Sequence, residues 1–124
     1  ADTEYGPMGL SICYDLRFPE LYRKMVDMGA KFFLVASAWP FPRLEPWEFF
    51  HRARAAENTC YLISANASGK QAGALYLCHS KIVDPWGTVV ADSDFRETIV
   101  TAEIDPTYVD EVRAAFPSLK DRVM

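Results

Sequence analysis

The segment GLSICYDLRFPEL, residues 9–21, joins a short apolar run to the start of a helix. The apolar run begins near Gly9 and ends at Cys13, which predicts a buried strand. Pro19 suits the first turn of a helix, and Glu20 complements the positive end of the helix dipole. Ligands of parallel α/β sheets bind beyond the carboxyl ends of the strands. The sequence therefore predicts Cys13 at the edge of the sheet where chemistry takes place.

The segments after this one predict an α/β fold. Residues 31–39 and 60–66 are apolar runs typical of buried strands, and residues 47–59 have helical spacing. Three prolines place residues 40–46 in a loop. The order strand, helix, strand, helix, strand is typical of parallel strands joined by right-handed crossovers.

The second half of the chain predicts a different pattern. We expect a loop over residues 67–74, and then three strands over 74–84, 88–93 and 98–105 with no helix between them. The sequence DPWG, residues 84–87, predicts a tight hairpin turn, since proline sets the second turn position and glycine accepts positive φ. A last helix is predicted from Asp105-Pro106 to just before Pro117.

Composition narrows the class of protein. The chain has 124 residues, which suits one domain, and its net charge of −4 argues against a nucleic-acid partner. No apolar stretch approaches the roughly 18 residues of a membrane span, and the polar N-terminus does not resemble a signal peptide. We therefore expect no membrane partner and a cytoplasmic location.

The three cysteines and two histidines lack the spacing of a disulfide framework or a metal site, so we expect no metal.

Cys13 has two interpretations. Most free cysteines are small buried hydrophobic residues. A strand that ends in a cysteine just before a helix, however, has the mechanics of a nucleophile elbow, and a helix N-terminus favours a thiolate. Cys60 and Cys78 lie inside apolar strand patterns and are predicted to belong to the core.

Other polar residues have simpler interpretations. His51, in the middle of a helix, is predicted to be packed or solvated, and His79 is a weak candidate for a general base. Arg17 is expected to form an ion pair with Glu20, although it could instead bind a substrate carboxylate. A further group on the second helix is predicted to form a charged face or a subunit contact: Arg52, Arg54 and Glu57.

Four segments together resemble the nitrilase superfamily of carbon–nitrogen hydrolases, and its omega-amidase and Nit-like branch in particular. They are GLSICYDLRFPEL, RARAAENTCYLISAN, HSKIVDPWGTVVA and the closing AEID…EVRAAFPSLKDR. The resemblance implies an αββα sandwich and a cofactor-free hydrolysis of a small-molecule amide, carbamoyl amine or nitrile through a cysteine thioester. It implies that Cys13 is the nucleophile, that the backbone N–H of Tyr14 holds the oxyanion, and that Ala38 and Trp39 line the substrate pocket. It also implies a homo-oligomer.

The chain departs from the family pattern at two places. Cys78-His79-Ser80 stands where Gly-His-Ser is usual, and only twelve residues precede Cys13. The family's Glu general base and its Lys lie upstream of the cysteine. Residues 1–124 are therefore predicted to form the C-terminal portion of a carbon–nitrogen hydrolase domain, inactive alone and completed by the N-terminal half. The alternatives are a non-catalytic structural or interaction module, an inactive fragment, and a self-sufficient hydrolase that pairs a cysteine with His79 or His51.

Overall fold

A computed structural model describes residues 1–123, and its centre is a five-stranded sheet with the strand order β1-β2-β3-β6-β7. The remaining two strands, β4 and β5, form a separate hairpin. The strands are β1 (Met8–Ile12), β2 (Phe32–Ser37), β3 (Tyr61–Asn66), β4 (Ser68–Gln71), β5 (Ala74–Leu77), β6 (Lys81–Val83) and β7 (Val89–Asp92). The helices are a 3-10 helix (Cys13–Arg17), α1 (Pro19–Asp27), α2 (Leu44–Asn58) and α3 (Tyr108–Ala115).

The first three strands are parallel, as the alternation of strands and helices predicted. Met8 lies opposite Phe32 in the β1–β2 pair, and Phe32 lies opposite Tyr61 in the β2–β3 pair. The strands β6 and β7 then add antiparallel to this group. The predicted fold class, α/β, is confirmed.

The predicted hairpin turn connects β6 to β7. The backbone N–H of Gly87 donates to Asp84 O over 2.9 Å, and Gly87 has a φ of +83°. A side chain at this position would also meet the backbone oxygen of Arg52 on α2 at 3.0 Å. Glycine is therefore required here both by the turn conformation and by the close approach of the helix.

The core lies between one face of the sheet and the helices α1 and α2. Its members include fully buried side chains from the sheet, from both helices and from the 3-10 helix, such as Leu16, Tyr22, Phe33, Trp47 and Leu62. None of the helices within residues 1–123 is long and apolar enough to cross a membrane.

The opposite face of the sheet is largely bare. Helix α3 covers its amino end, where Val109 packs against Phe32 and Tyr61. Further along the strands, Leu10 is 61% exposed and Ile12 is 69% exposed. We call this surface the bare sheet face; its residues are Leu10, Ile12, Leu34, Ala36, Ile63 and Ala65, which border an apolar groove of about 710 Å³. A single sheet with α1 and α2 packed on one face, and with the other face largely uncovered, corresponds to half of a four-layer sandwich.

The structure corrects two predictions around residues 67–84. The segment expected to be a loop contains β4, which pairs with β5 so that Ser68 lies opposite Leu77. The segment expected to be one strand, residues 74–84, is broken between β5 and β6, because Cys78 and His79 have φ values of +60° and +55°. Left-handed backbone cannot continue a strand ladder, so the chain turns here from the small hairpin into the main sheet.

The strand predicted over residues 98–105 does not form. Thr98, Ile99 and Val100 run along the groove of the bare sheet face, and Ile99 is 88% exposed. A strand needs a neighbour for its backbone hydrogen bonds, and no strand pairs with this segment in the part of the chain that the structure describes. The last helix forms as predicted and ends before Pro117.

Candidate active site

Cys13 lies at the carboxyl end of β1 and is the first residue of the 3-10 helix. Its φ of +48° is a left-handed value that is unfavourable for a residue with a side chain. The sharp turn leaves the residue partly exposed, whereas Cys60 and Cys78 are buried. The burial of Cys60 and Cys78 and the place of Cys13 at the end of a strand agree with the sequence predictions, whereas Cys78 lies in the turn between β5 and β6 and not inside a strand.

Polar contacts from neighbouring elements hold this turn. The backbone N–H of Ile12 donates to the carboxylate of Asp15 over 2.9 Å, which closes the turn around Cys13. Within the same helix, Leu16 is fully buried in the core. Arg54 of α2 donates from Nε to the backbone oxygen of Leu16 over 3.1 Å. The turn is thus attached both to the core and to α2.

The role of Arg54 differs from the prediction of a charged surface. Its side chain is only 6% exposed, and its guanidinium lies 5.8 Å from the ring centroid of Tyr22 and 5.4 Å from that of Phe50. Glu57 supplies its counter-charge at 2.8 Å. Helical spacing alone did not reveal this, because Arg54 is buried by the 3-10 helix, which is distant in sequence.

A cleft of about 340 Å³ opens beside Cys13. Its lining residues come from the 3-10 helix and from the segment after β2: Cys13, Tyr14, Arg17, Trp39, Pro40 and Arg43. Trp39, which was predicted to line the substrate pocket, is one of the lining residues of this cleft. Ala38, the other predicted pocket residue, is exposed and does not belong to this lining.

Arg17 does not form the predicted ion pair with Glu20. No carboxylate of residues 1–123 lies within 4.0 Å of its guanidinium, which instead lies 4.9 Å from the ring centroid of Trp39, with Phe50 and Tyr14 also in contact. Aromatic faces stabilise a cation without neutralising it. The cleft therefore presents the positive charges of Arg17 and Arg43 and no negative charge from its lining.

Trp39 is held in place by several hydrogen bonds. Its backbone N–H donates to Asn66 Oδ1 over 2.7 Å, and its indole Nε1 donates to the backbone oxygen of Arg43 over 2.6 Å. Its ring lies 5.6 Å from that of Trp47 in the core. Asn66 was not among the predicted site residues, although an amide at the carboxyl end of a predicted parallel strand is a signal that could have identified it.

The structure also brings together ionisable groups away from the cleft. Glu48, His79 and Asp92 place one ligand-type atom each within 4.8 Å of one another, as a metal site would. Lys81, however, is fully buried beside them and donates from Nζ to Glu48 and, over 2.8 Å, to Asp92. Its ammonium already supplies the positive charge that a metal ion would bring, so we interpret this cluster as a buried ion-pair network.

The titration of Asp92 fits this interpretation. Burial disfavours its charge, but the hydrogen bond from Lys81 and one from the backbone of Asp94 outweigh burial and hold the pKa of Asp92 below its usual range. The carboxylate thus stays charged beside the lysine.

Neither histidine lines the cleft. The His79 ring faces Glu48, with Nδ1 3.0 Å from Oε1 of the carboxylate. His51 is fully buried against Trp47, and its Nδ1 lies 2.6 Å from the Trp47 backbone oxygen. Burial lowers the pKa of His51 to about 3. Of the two environments predicted for His51, packed or solvated, the structure has the packed one. The geometry does not support a cysteine–histidine pair.

The family model for carbon–nitrogen hydrolases matches residues 1–114. The chain belongs to this family. It is 43% identical over 110 residues to a 2-oxoglutaramate amidase of Bacillus subtilis, a match that covers 89% of the chain and 42% of that protein. The crystal structure of the Caenorhabditis elegans NitFhit protein superimposes with a TM-score of 0.92 at 43% identity, over 98% of this chain and 30% of that one. These matches confirm the resemblance to the omega-amidase and Nit-like branch.

A second solved structure concerns the chemistry of the cysteine. It is an amidase from Nesterenkonia sp. AN1, with the acetamide moiety of fluoroacetamide added covalently at its active-site cysteine. It superimposes with a TM-score of 0.76 at 27% identity, over 89% of this chain and 42% of that one. In each of these three comparisons, this carbon–nitrogen hydrolase chain spans less than half the length of the protein it matches.

Proposed function

We propose that this chain is the cysteine-bearing half of an amidase that hydrolyses a carbon–nitrogen bond of a small molecule through a thioester. The observation that carries the proposal is the presentation of Cys13, on a strained turn, into a cleft with two arginines. The covalent adduct at the cysteine of the Nesterenkonia amidase supports a nucleophilic cysteine in this fold. Amides are the preferred substrates, with carbamoyl amines and nitriles as further members of the class.

The reaction follows from the position of the thiol. Cys13 Sγ, as the thiolate, attacks the amide carbon and forms a C–S bond, and the carbonyl oxygen takes the negative charge. Tyr14 lies in the first turn of the 3-10 helix, where a backbone N–H has no acceptor within the helix, and it can donate to this oxygen. The oxyanion then collapses, the C–N bond breaks, and the leaving nitrogen takes from a general base the proton that the thiol had lost, so that ammonia departs. A water molecule, deprotonated by the same base, attacks the thioester, the C–S bond breaks, and the acid and the free thiol are released.

Both steps need a group that accepts and returns protons. The residues that line the cleft include no carboxylate and no imidazole. A positioned general base contributes about 10²–10⁴-fold to such a reaction. We therefore propose that a Glu general base, together with a Lys, comes from an upstream half of the sandwich.

The bare sheet face is the surface that this half would cover. Leu10 and Ile12 of β1 expose their side chains there, on the strand that ends at Cys13. Packing of two sheets face to face would bury this surface and would bring a second set of loops to the edge where Cys13 lies. We also propose that the complete protein is a homo-oligomer located in the cytoplasm.

Arg17 and Arg43 are placed to bind the end of the substrate that lies opposite to the amide group. Their unneutralised charges beside Cys13 favour an amide that carries a carboxylate. The name of the Bacillus subtilis relative agrees with this class, since 2-oxoglutaramate is the monoamide of a dicarboxylic acid.

Ammonia release from carboxylate-bearing amides, neutral amides, carbamoyl amines and nitriles tests the proposal. We expect negligible turnover by residues 1–124 alone, and turnover after addition of an upstream half that contains a Glu and a Lys. This activity should be lost in Cys13→Ala and retained in His51→Ala and His79→Ala. Robust turnover by the isolated chain that disappears in either histidine variant would overturn the proposal in favour of a cysteine–histidine hydrolase. No turnover by the assembled protein would favour a non-catalytic module.

The substrate class is tested in the assembled protein with Arg17→Gln. The KM for carboxylate-bearing amides should rise about tenfold or more, as expected for a lost charge-assisted hydrogen bond, with little change for neutral amides. Arg96→Gln, at an exposed site outside the cleft, is the matched control. Equal effects on charged and neutral amides would contradict a carboxylate-binding role.

A further inference from the structure

We propose that Asn66 is a positioning residue that sets the place of the cleft cations through Trp39; this inference rests on the proposed function. Asn66 is the last residue of β3 and does not line the cleft beside Cys13. It acts through the backbone of the segment that follows β2.

The side chain of Asn66 extends the sheet beyond the last strand pair. The ladder between β2 and β3 ends where Ser37 lies opposite Asn66. Past that point, Asn66 Oδ1 accepts the backbone N–H of Trp39 over 2.7 Å, and Nδ2 donates to the Trp39 backbone oxygen over 3.4 Å. One amide group therefore pairs with both backbone groups of Trp39, as a neighbouring strand would.

The same amide also reaches the turn before β6. Asn66 Nδ2 donates to the backbone oxygen of Cys78 over 2.8 Å, and the backbone N–H of Asn66 donates to Ser80 Oγ over 3.0 Å. Asn66 thus joins the segment after β2 to the left-handed turn at Cys78 and His79. The side chain accepts one hydrogen bond and donates two, a combination that among short side chains only an amide supplies.

The consequence for the cleft follows from what Trp39 touches. Its ring lies 4.9 Å from the Arg17 guanidinium, and its indole N–H binds the backbone oxygen of Arg43. If Trp39 shifts, both cations move relative to Cys13. Asn66 therefore determines how well the cleft holds an anionic group near the thiol, without touching the substrate.

Two alkylating reagents measure this placement without requiring hydrolysis. Iodoacetate carries a carboxylate and iodoacetamide does not. The ratio of their alkylation rates at Cys13 therefore measures how strongly the cleft cations, Arg17 and Arg43, attract an anionic reagent to the thiol. The protein is the chain assembled with an upstream half. In Asn66→Leu, we expect the ratio of iodoacetate to iodoacetamide rates to fall about two- to tenfold, the range that corresponds to one ordinary hydrogen bond. The iodoacetamide rate should change much less.

Asn66→Asp provides a second, nearly isosteric variant. It keeps the acceptor for the Trp39 N–H but places a carboxylate oxygen against the backbone oxygens of Trp39 and Cys78, so the ratio should fall here as well. If Asn66→Leu does not fold, this variant decides the test. Asn58→Ala is the control for general destabilisation, since Asn58 is a buried amide that binds the Arg54 backbone oxygen away from Trp39.

The outcomes separate this inference from the proposed function. A ratio in both Asn66 variants equal to that of the wild type, or a fall of the same size in Asn58→Ala, would overturn the positioning role. A wild-type protein that alkylates selectively but hydrolyses no amide would instead contradict the proposed function. Where turnover is present, the Asn66 variants should raise the KM for carboxylate-bearing amides more than they lower kcat.

Discussion

The ammonium of Lys81 lies 2.8 Å from a carboxylate oxygen of Asp92, and the lysine side chain is fully buried. Glu48 of α2 also binds this ammonium. The contact between Glu48 and Lys81 connects α2 to the antiparallel part of the sheet. A buried charge destabilises the folded state strongly when it loses its partner of opposite charge.

Removal of the lysine charge should therefore destabilise the fold strongly. In Lys81→Met, the two carboxylates lose their shared cation, and we expect the free energy of unfolding to fall by about 3–5 kcal/mol. Denaturant unfolding of the folded protein measures this change. Lys70→Met, at an exposed position of β4, is the matched control and should shift stability by less than about 0.5 kcal/mol. A small loss in Lys81→Met would show that the network contributes little.

The buried imidazole of His51 predicts acid sensitivity. The pKa of His51 is lowered to about 3 in the folded chain, whereas the unfolded residue titrates near its usual value of about 6.5. Between these values the unfolded state binds the extra proton, so stability is complete above about pH 6.5 and falls as the pH is lowered. The contribution of this one residue is up to about 1.4 kcal/mol per pH unit.

Denaturant unfolding between pH 7 and pH 4 tests this dependence. His51→Phe keeps an aromatic ring beside Trp47 and removes the titrating group, so its stability should depend less steeply on pH. The comparison concerns the slopes and not the absolute stabilities, since the substitution also removes the contact with the Trp47 backbone oxygen. Identical slopes in the two proteins would contradict the assignment.

The left-handed backbone at Cys78 predicts an unusual preference for glycine. Because its φ is +60°, a Cβ atom is unfavourable there by about 1–2 kcal/mol. Both Cys78→Gly and Cys78→Ala lose the buried sulfur, so their difference isolates the backbone conformation. We expect Cys78→Gly to be the more stable of the two by about 1 kcal/mol in thermal or denaturant unfolding.

Cys60 supplies the matched control for this experiment. It is also buried, but it is not among the residues with positive φ. At this position the alanine variant should be more stable than the glycine variant, by roughly 0.5–1 kcal/mol. The same order of stability at both positions would argue against strain at Cys78.

The three cysteines should differ in reactivity. Cys13 is partly exposed, Cys60 and Cys78 are buried, and burial raises the pKa of the Cys60 thiol to about 12. Brief treatment of the folded chain with iodoacetamide should therefore modify Cys13 first, as peptide mapping would show. Circular dichroism must establish a folded sample beforehand, because an unfolded chain labels evenly. Equal labelling of all three cysteines in folded protein would count against Cys13 as the nucleophile.

The bare sheet face predicts association. Leu10 and Ile12 are exposed apolar side chains on a surface that a second sheet is proposed to cover. The chain alone should self-associate in sedimentation experiments, and Leu10→Thr with Ile12→Thr should reduce both self-association and binding of an upstream half. Met28→Thr, at a residue 77% exposed just after α1, should change neither. A monodisperse, folded 14.0 kDa monomer would contradict the half-sandwich interpretation.

The sequence by itself determined the parallel part of the fold and the position of Cys13. Apolar runs and helical spacing are local patterns, and they were sufficient for β1, β2, β3 and α1. The prediction of a loop over residues 40–46 was wrong at its end, because α2 already begins at Leu44 and accommodates Pro46 in its first turn, where proline is tolerated. The residues of the DPWG turn were likewise sufficient for the hairpin between β6 and β7. These features follow from the preferences of neighbouring residues, which a linear pattern contains.

Only the tertiary structure decided the environments of individual side chains. Arg54 is buried by Leu16 and Tyr22, more than thirty positions away in the sequence. Asn66, at the end of β3, binds Trp39 in the segment that follows the neighbouring strand β2. The strand predicted through Cys78 is interrupted because the chain passes there from the small hairpin into the main sheet. The segment around Ile99 has no strand partner among residues 1–123. Each of these outcomes depends on contacts between segments far apart in the chain, which local periodicity does not contain.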